Sequence, residues 1–221
     1  GNETFGVAVE VVGYTIIVGS PHDEDNGDSS GSAYIFTRNT GGLDNWGQTT
    51  KITAADGAAL DNFGRAVAVS GDNVVVGAKY DDDNGDSSGS VYIFSRNEGG
   101  ADNWGQATKI TAADGTLSDY FGCDVAVSGE TIVVGASGDN DNGAWSGSAY
   151  IFSRNQGGAD NWGQTAKLTA ADGAASDQFG IAVAMSGNTV VVGAFEDDDN
   201  GNASGSAYVF RACLRMIFAK I

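Results

Sequence analysis

The sequence predicts an all-β protein, specifically a β-propeller of four four-stranded blades. The first observation is a repeat, because Phe-Gly recurs at a constant spacing of 58 residues, at Phe5, Phe63, Phe121 and Phe179. The second is composition. The 221 residues include 34 glycines and one proline, and 41% of them are hydrophobic, which is typical of short strands joined by tight turns. Repeats of roughly 40 to 60 residues with four strands each are typical of propeller blades.

The second unit shows the four strands of one blade, which we name A to D. They are expected at residues 65–70, 74–78, 90–95 and 109–112. Each run is rich in Val, Ile, Tyr or Phe and is bounded by Gly, Asp, Asn or Ser. No segment has a sustained apolar period of 3.6 residues, so no helix is expected. A β-solenoid is the alternative, although its repeats are usually shorter.

We expect one domain over residues 1–221, with blades at about 5–56, 63–114, 121–172 and 179–221. The strands run in frame in every unit, whereas propellers usually close by exchanging a strand between the first and last blades. A closed four-blade ring, an open arc that dimerises and a part of a larger propeller therefore all stay open. An open arc would expose apolar blade faces and form a homo-oligomer.

The last unit departs from the repeat after Phe210. Its final residues, Ala219-Lys220-Ile221, nevertheless resemble Thr50-Lys51-Ile52 of the first unit. This similarity predicts that the end of the chain supplies the outer strand of the fourth blade.

The charge balance restricts the partners. The chain has 29 acidic and 11 basic residues, a net charge of −18, which argues against nucleic acid and against an anionic membrane surface. No apolar run reaches the roughly 20 residues of a membrane-spanning helix, so membrane insertion is not expected. A single histidine, His22, argues against histidine-based catalysis and multi-histidine zinc sites.

Most of the acidic residues lie in the B-to-C and D-to-A loops, which emerge on one face of a propeller. Aspartates close to a sharp glycine turn are suitable ligands for Ca²⁺, and the alternative is a set of solvated turns in an acidic protein. The candidate metal ligands are Asp23, Asp25, Asp28, Asp81, Asp83, Asp86, Asp139, Asp141, Asp197 and Asp199.

The four tryptophans are the candidate ligand-binding residues. Trp145 replaces the Ser29, Ser87 and Ala203 of the other units, and an aromatic ring in a polar loop can stack on a sugar or on a partner side chain. The alternative is that it folds back onto a neighbouring loop. The others recur in Asp-Asn-Trp-Gly, which favours a structural plug over a carbohydrate platform; they are Trp46, Trp104 and Trp162.

Three charged residues interrupt the A strands, namely Glu10, Arg65 and Asp124. They are expected to line the axial channel, either as hydrated charges or as a small charged site. Carboxylates can support general acid–base chemistry, but the near-identical units offer no unique cleft with a catalytic set. No catalytic residue is assigned, and a polysaccharide-active enzyme is the least favoured function.

The combination of Phe-Gly, Val-Ala-Val-Ser-Gly, Val-Val-Val-Gly-Ala and Gly-Ser-Ala-Tyr-Ile-Phe resembles the FG-GAP repeat. The resemblance extends from Phe5 to Phe210 and implies a β-propeller like that of integrin alpha chains and of secreted bacterial and archaeal proteins. FG-GAP blades that bind calcium carry an Asp-x-Asp-x-Asp-Gly loop between their first two strands. Here that connection is only Gly71-Asp72-Asn73, so the resemblance does not supply the metal site.

The sequence therefore predicts an extracellular or cell-surface binding and adhesion module that depends on calcium. Its partner would be a protein or a glycan on a cell surface or in a matrix. The alternatives are a lectin that reads sugars through the tryptophan loops and a structural surface-repeat protein.

Overall fold

The computed structural model describes residues 3–212 and 219–220, and these form four antiparallel four-stranded sheets without a helix. Each sheet corresponds to one repeat and has its strands in sequence order. This architecture confirms the predicted β-propeller of four blades. No helix in the described part of the chain is long and apolar enough to span a membrane.

The strands of each blade are as follows. Blade 1 contains β1 (Val9–Val12), β2 (Thr15–Ser20), β3 (Ser32–Arg38) and β4 (Trp46–Ile52). Blade 2 contains β5 (Ala66–Ser70), β6 (Asn73–Ala78), β7 (Ser90–Ser95) and β8 (Gly105–Ile110). Blade 3 contains β9 (Phe121–Ser128), β10 (Thr131–Ala136), β11 (Ser148–Ser153) and β12 (Gly163–Leu168). Blade 4 contains β13 (Ala182–Ser186), β14 (Thr189–Ala194), β15 (Ser206–Arg211) and β16 (Ala219–Lys220).

The outer strands differ most from their predicted bounds. Strand β8 begins at Gly105 rather than at Lys109, because its ladder with β7 continues beyond a register shift between Ile93 and Phe94. Strand β16 pairs with β15 and places Lys220 opposite Tyr208, as β4 places Lys51 opposite Tyr34 in blade 1. The predicted outer strand of blade 4 is thus confirmed.

The loops separate onto two sides, as the topology predicts. The backbone N–H of Leu60 donates to the Asp28 carbonyl, which joins a D-to-A loop to a B-to-C loop. On the opposite side, Arg96 N–H donates to the Asp72 carbonyl and joins a C-to-D loop to an A-to-B turn. We call the first side the loop face. It comprises residues 21–31, 53–65, 79–89, 111–120, 137–147, 169–181 and 195–205.

The apolar core lies between blades. Each blade has a front face toward the preceding blade and a rear face toward the following one. Between blades 1 and 2, the rear face of blade 1 contributes Ile17, Ala33, Ile35, Ile52 and Ala54. The front face of blade 2 contributes Phe63, Val67, Val69, Val74, Val76, Ala78, Tyr92, Phe94 and Trp104. Equivalent clusters lie between blades 2 and 3 and between blades 3 and 4.

The inner strands form the axis. Strands β1, β5, β9 and β13 pack in that order, but β1 and β13 make no comparable contact in the described structure. Two predicted channel residues bond across neighbouring inner strands. Glu10 accepts a hydrogen bond from Val69 N–H, and Asp124 accepts one from Val183 N–H at 2.7 Å. These carboxylates satisfy backbone donors that adjacent blades leave unpaired at the strand edges.

Candidate functional site on the loop face

Lysines from the outer strands reach into the acidic loops. The Lys109 Nζ lies 2.8 Å from a carboxylate oxygen of Asp56, 3.1 Å from Asp81 and 2.6 Å from Asp83. In blade 3, Lys167 contacts the equivalent three aspartates at 2.8, 2.9 and 2.7 Å; they are Asp114, Asp139 and Asp141. In blade 1, Lys51 contacts Asp23 and Asp25. We call each group a lysine–aspartate cluster.

The strand register brings these groups together. Tyr92 lies opposite Lys109 in the β7–β8 ladder, and the ammonium lies 5.0 Å from the centre of its ring. The Tyr92 hydroxyl donates to Asp81 at 2.7 Å, and the Ser90 hydroxyl donates to the same carboxylate at 2.9 Å. Asp81 is buried, so this first acid of the loop is an anchor whose charge is neutralised from the adjacent strand.

The clusters shift the pKa values of their members. Burial of the Asp23 carboxyl favours its protonated form, but hydrogen bonds from Lys51, Tyr34 and Ser32 outweigh it and lower its pKa. The pKa values of Asp56 and Asp114 are lowered in the same way, by Lys109 and Lys167 against the effect of burial. These carboxylates therefore stay ionised well below neutral pH.

The D-to-A loop also contains an aspartate whose pKa is raised rather than lowered. Asp61 accepts a hydrogen bond from Ala58 N–H at 2.6 Å. Burial, together with the nearby charges of Asp81 and Asp82, raises its pKa to about 6. Asp119 and Asp177 occupy the equivalent place in the next two loops, and burial raises their pKa values as well.

The predicted metal ligands thus have three different surroundings. The first acid of each loop is buried and accepts bonds from tyrosine; these residues are Asp23, Asp81, Asp139 and Asp197. Asp28 and Asp86, near the end of their loops, are exposed, and each accepts a hydrogen bond from the serine that follows it. The aspartate two residues after the first acid bonds to lysine in blades 1 to 3; these residues are Asp25, Asp83 and Asp141. In blade 4, Asp199 donates its N–H to Asp197.

This donor set does not form an open cage for calcium, which needs six to eight oxygens. In the clusters of blades 1 to 3, a lysine ammonium stands where a cation would be coordinated. Among the described residues, no group of three or more His, Cys, Asp or Glu side chains is arranged to hold a metal ion. Calcium binding stays a prediction, and in blades 1 to 3 it requires that the ion displace lysine.

An aromatic patch lies on the loop face at blades 2 and 3. The Tyr120 ring lies 5.6 Å from Tyr80 and 5.5 Å from Trp145, centre to centre. The Lys79 Nζ lies 4.4 Å from the Tyr80 ring centre and 5.6 Å from that of Tyr120. Trp145 thus packs on a neighbouring loop and still leaves 43% of its surface exposed.

The local backbone holds this patch in place. Trp145 N–H donates to the Asn140 side chain at 2.9 Å, and its carbonyl accepts from Gln178 N–H. Gly138 makes room for Tyr120, because a Cβ at that position would lie 2.9 Å from the tyrosine ring. The patch is therefore preformed by its loops, which lowers the entropic cost of binding.

A cavity of about 360 Å³ opens beside the patch, near the axis. Arg65, Lys79 and Asp124 line it together with small side chains of the inner strands. Burial raises the pKa of Asp124, against bonds from Val183 and Val125 N–H groups and the charge of Arg65. The cavity thus places two further cationic side chains near the axis, among the acidic loops.

The repeated tryptophans occupy other places. Trp104 and Trp162 are buried between blades, and the Arg96 guanidinium lies 5.0 Å from the ring centre of Trp104. Trp46 has the same position in blade 1 and is partly exposed. Of the four candidate tryptophans, Trp145 alone belongs to the aromatic patch.

Sequence reasoning missed the lysines and most of the aromatic patch. Lys51, Lys109 and Lys167 recur at the same 58-residue spacing as the aspartates, and this coincidence was the available signal. Tyr80 and Tyr120 break the repeat in the same way as Trp145, since their counterparts include His22 and Asn62.

Comparison with known families identifies the family of this chain. Residues 1–36, 46–94, 104–152 and 162–210 each match the FG-GAP repeat. The chain belongs to the FG-GAP repeat family. No curated protein sequence matches this FG-GAP chain.

A solved structure similar to this FG-GAP chain is the crystal structure of the computationally designed Ika8 protein. The two chains are 13% identical, with a TM-score of 0.48. The alignment covers 98% of this chain and 61% of the designed chain.

Proposed function

We propose that this FG-GAP propeller is an extracellular adhesion module that binds a protein or glycan of a cell surface or matrix through its loop face. The FG-GAP propeller is in general a non-catalytic binding fold, and the proposal assigns no catalytic role to Glu10, Arg65 or Asp124. The observation that carries it is that several residues that differ from their counterparts in the other repeats lie together on the loop face. Lys79, Tyr80, Tyr120 and Trp145 lie together beside the axial cavity.

The chemistry of this place suggests the kind of partner. Tyrosine and tryptophan are the residues that dominate binding hot spots, since they offer a large apolar surface at a low entropic cost. Arg65 and Lys79 add positive charge inside the acidic face. A ligand that places a ring or an apolar side chain on Trp145 and an anionic group near the two cations would fit both features.

A glycan is the more specific of these two kinds of partner, and the exposed ring of Trp145 favours it. A sugar ring can stack on an aromatic face while surrounding polar groups bond to its hydroxyls. The B-to-C loops that carry Tyr80 and Trp145 also expose carboxylates, among them Asp82, Asp86 and Asp141.

The decisive experiment compares wild type with Trp145→Ser on a glycan array and on an array of extracellular matrix proteins. Serine is the residue at this position in blades 1 and 2, so the variant keeps the repeat's own loop sequence. We expect loss of at least tenfold in affinity for the bound partner, the scale of a hot-spot truncation. Leu43→Ser, at an exposed C-to-D loop, is the matched control. Unchanged binding by Trp145→Ser would overturn the assignment of the site.

Calcium dependence is a separate proposal, motivated by the density of aspartates on the loop face. A ligand that binds only the folded state at 100 times its Kd stabilises it by about 2.7 kcal/mol. Thermal melts in excess calcium and in excess chelator measure this directly. A higher Tm in calcium would support it, and superimposable melts would leave the lysines as the counterions of the loops.

A further inference from the structure

The front face of blade 1 is an apolar surface that lies uncovered. Phe5 is 55% exposed, whereas Phe63, at the same place in blade 2, is fully buried. Val9 is 66% exposed, and its counterpart Val67 is 9% exposed. Val11 and Trp46 also lie on this face and are exposed. These side chains have the composition of a blade interface without a preceding blade against them.

The rear face of blade 4 is likewise uncovered by the residues that the structure describes. Ala182 and Ala184 of β13 are exposed, whereas their counterparts Ala66 and Ala68 in blade 2 are buried. Further out on the same face, three apolar residues are only half-buried; they are Val191, Ala207 and Val209. The chain therefore carries both halves of an inter-blade interface, one at each end of the array.

The glycines of the interfaces show the same pairing. A Cβ on Gly77 would lie 2.1 Å from the Gly122 carbonyl oxygen of the next blade, so two backbones touch there. Gly19 meets Gly64, and Gly135 meets Gly180, in the same way at 1.9 Å. At the ends of the series, Gly193 and Gly6 are unmatched. Among the described residues, a Cβ on Gly193 meets only Ala182 of its own blade, at 3.6 Å, and one on Gly6 meets nothing within 4 Å.

A backbone hydrogen bond also recurs at each interface. Phe63 N–H donates to the Ser30 carbonyl of the preceding blade, and Phe121 and Phe179 repeat this bond to Ser88 and Ser146. In the described part of the chain, the corresponding groups at the ends, Phe5 N–H and the Ser204 carbonyl, do not make this bond.

We propose that the rear face of blade 4 docks on the front face of blade 1 of a second copy of this chain. The contact would repeat the interface that already occurs three times within the molecule, with Gly193 against the partner's Gly6. It is a head-to-tail contact between two different surfaces. Two copies joined by two such contacts form a closed ring, and copies whose contacts do not close form an open chain.

The test measures the mass of the 221-residue chain by light scattering, for wild type and for two variants. Val9→Asp places a charge on the front face, and Gly193→Val fills the space that the partner's Gly6 must enter. Both positions are open in the single chain, so circular dichroism should show folded proteins. We expect twice the monomer mass, or larger concentration-dependent species, for wild type and the monomer mass for each variant alone.

Mixing the two variants distinguishes this contact from a symmetric one. The Val9→Asp chain keeps its rear face and the Gly193→Val chain keeps its front face, so an equal mixture should recover a dimer. Leu43→Asp is the control, because Leu43 and its counterparts Ala101 and Ala159 are exposed whether or not a blade lies beside them. A monomeric wild type would overturn the proposal and leave the faces to a blade of another chain. A wild-type dimer that persists in both variants, or variants that fail to pair when mixed, would also overturn it.

Discussion

Blades 1 and 2 have nearly the same sequence, yet only blade 2 has both of its faces covered. Phe63 is buried among Tyr92 and Phe94 of its own blade and the rear face of blade 1. Phe5 makes the same edge contacts with Tyr34 and Phe36 but stays largely exposed. The apolar pattern of the repeat therefore encodes an interface between blades rather than a self-contained blade. Stability in such arrays is a sum over nearest neighbours.

The same difference appears in the lysine–aspartate clusters. Lys109 draws Asp56 from blade 1 as well as Asp81 and Asp83 from its own blade. Lys51 contacts two carboxylates, both from its own blade, in the described structure. The Lys109 cluster thus links two blades, whereas the Lys51 cluster stabilises a loop of its own blade.

The largest expected effect is at the buried phenylalanine. Phe63→Ala should lower the free energy of unfolding by about 3–5 kcal/mol, the range for a truncated core phenylalanine. Phe5→Ala should cost less than about 1 kcal/mol in the monomer, because most of that ring is already exposed. Urea denaturation of both variants checks the difference when each is made in the Val9→Asp background, which keeps the chain monomeric. Equal losses in that background would mean that the face of blade 1 is covered even in the monomer.

An intermediate effect is expected at the lysines. Lys109→Met should destabilise the fold by about 2–3 kcal/mol, because Asp81 is left buried without its counterion while solvent screens part of the loss. Lys51→Met also leaves a buried aspartate, Asp23, without its lysine, but it should cost less, about 1–2 kcal/mol. The Lys51 side chain is more exposed than that of Lys109, 28% against 16%, and it holds no carboxylate of a second blade in the described structure. Thermal unfolding at low and high salt measures both, and an equal loss in the two variants would contradict the bridging role of Lys109.

Lys109→Met also tests whether lysine and calcium compete for the same carboxylates. Removing the ammonium exposes three carboxylates to any hard cation, so calcium should raise the Tm of Lys109→Met more than that of wild type. Lys109→Arg, which keeps the positive charge, is the control and should respond like wild type. A calcium-dependent rise in wild type as large as in Lys109→Met would show that lysine does not compete for the loop.

The smallest effect concerns the loop that joins blades 1 and 2. The folded-state pKa of Asp61 is about 6, raised by burial from 3.8, so the folded state binds this proton more tightly than the unfolded state. Stability should therefore rise as the pH falls from about 6 toward 4, by about 1–2 kcal/mol for this group. Asp61→Asn should raise the Tm at pH 7 and flatten that part of the profile.

The aspartates whose pKa values are lowered set the acidic end of this pH range. Asp23, Asp56 and Asp114 have lowered pKa values, so their contribution is present above pH 4 and is lost as they are protonated at lower pH. A Tm profile for Asp61→Asn that keeps the full wild-type rise between pH 6 and pH 4 would assign that rise to other groups, such as Asp119 and Asp177.

Much of the fold could be predicted from the sequence because each strand is short, β-branched and bounded by turn residues. The run Val74–Ala78 and the run Ser90–Ser95 agree closely with β6 and β7. The start of β8 could not be predicted, since Gly105-Gln106-Ala107 has no apolar pattern and is held by its ladder with β7. Strand propensity is weak where cross-strand pairing decides the structure.

The candidate site was less predictable than the fold. The aspartates are conspicuous, but which cation neutralises them depends on the register that places Lys109 beside Tyr92. The aromatic patch depends on contacts between loops of adjacent blades, as between Tyr120 and Trp145. Neither relationship is local in sequence. Both are nevertheless visible in the repeat, because the lysines follow the 58-residue spacing and the residues of the aromatic patch depart from it.

The position of the core between blades has a consequence for how the chain folds during synthesis. Each apolar cluster contains residues of two consecutive repeats only, so folding needs no contact that spans the whole chain. A blade leaving the ribosome would be incompletely stabilised until the next repeat has emerged and covered its rear face. Folding should therefore proceed in order from the N-terminal blade, one repeat behind translation.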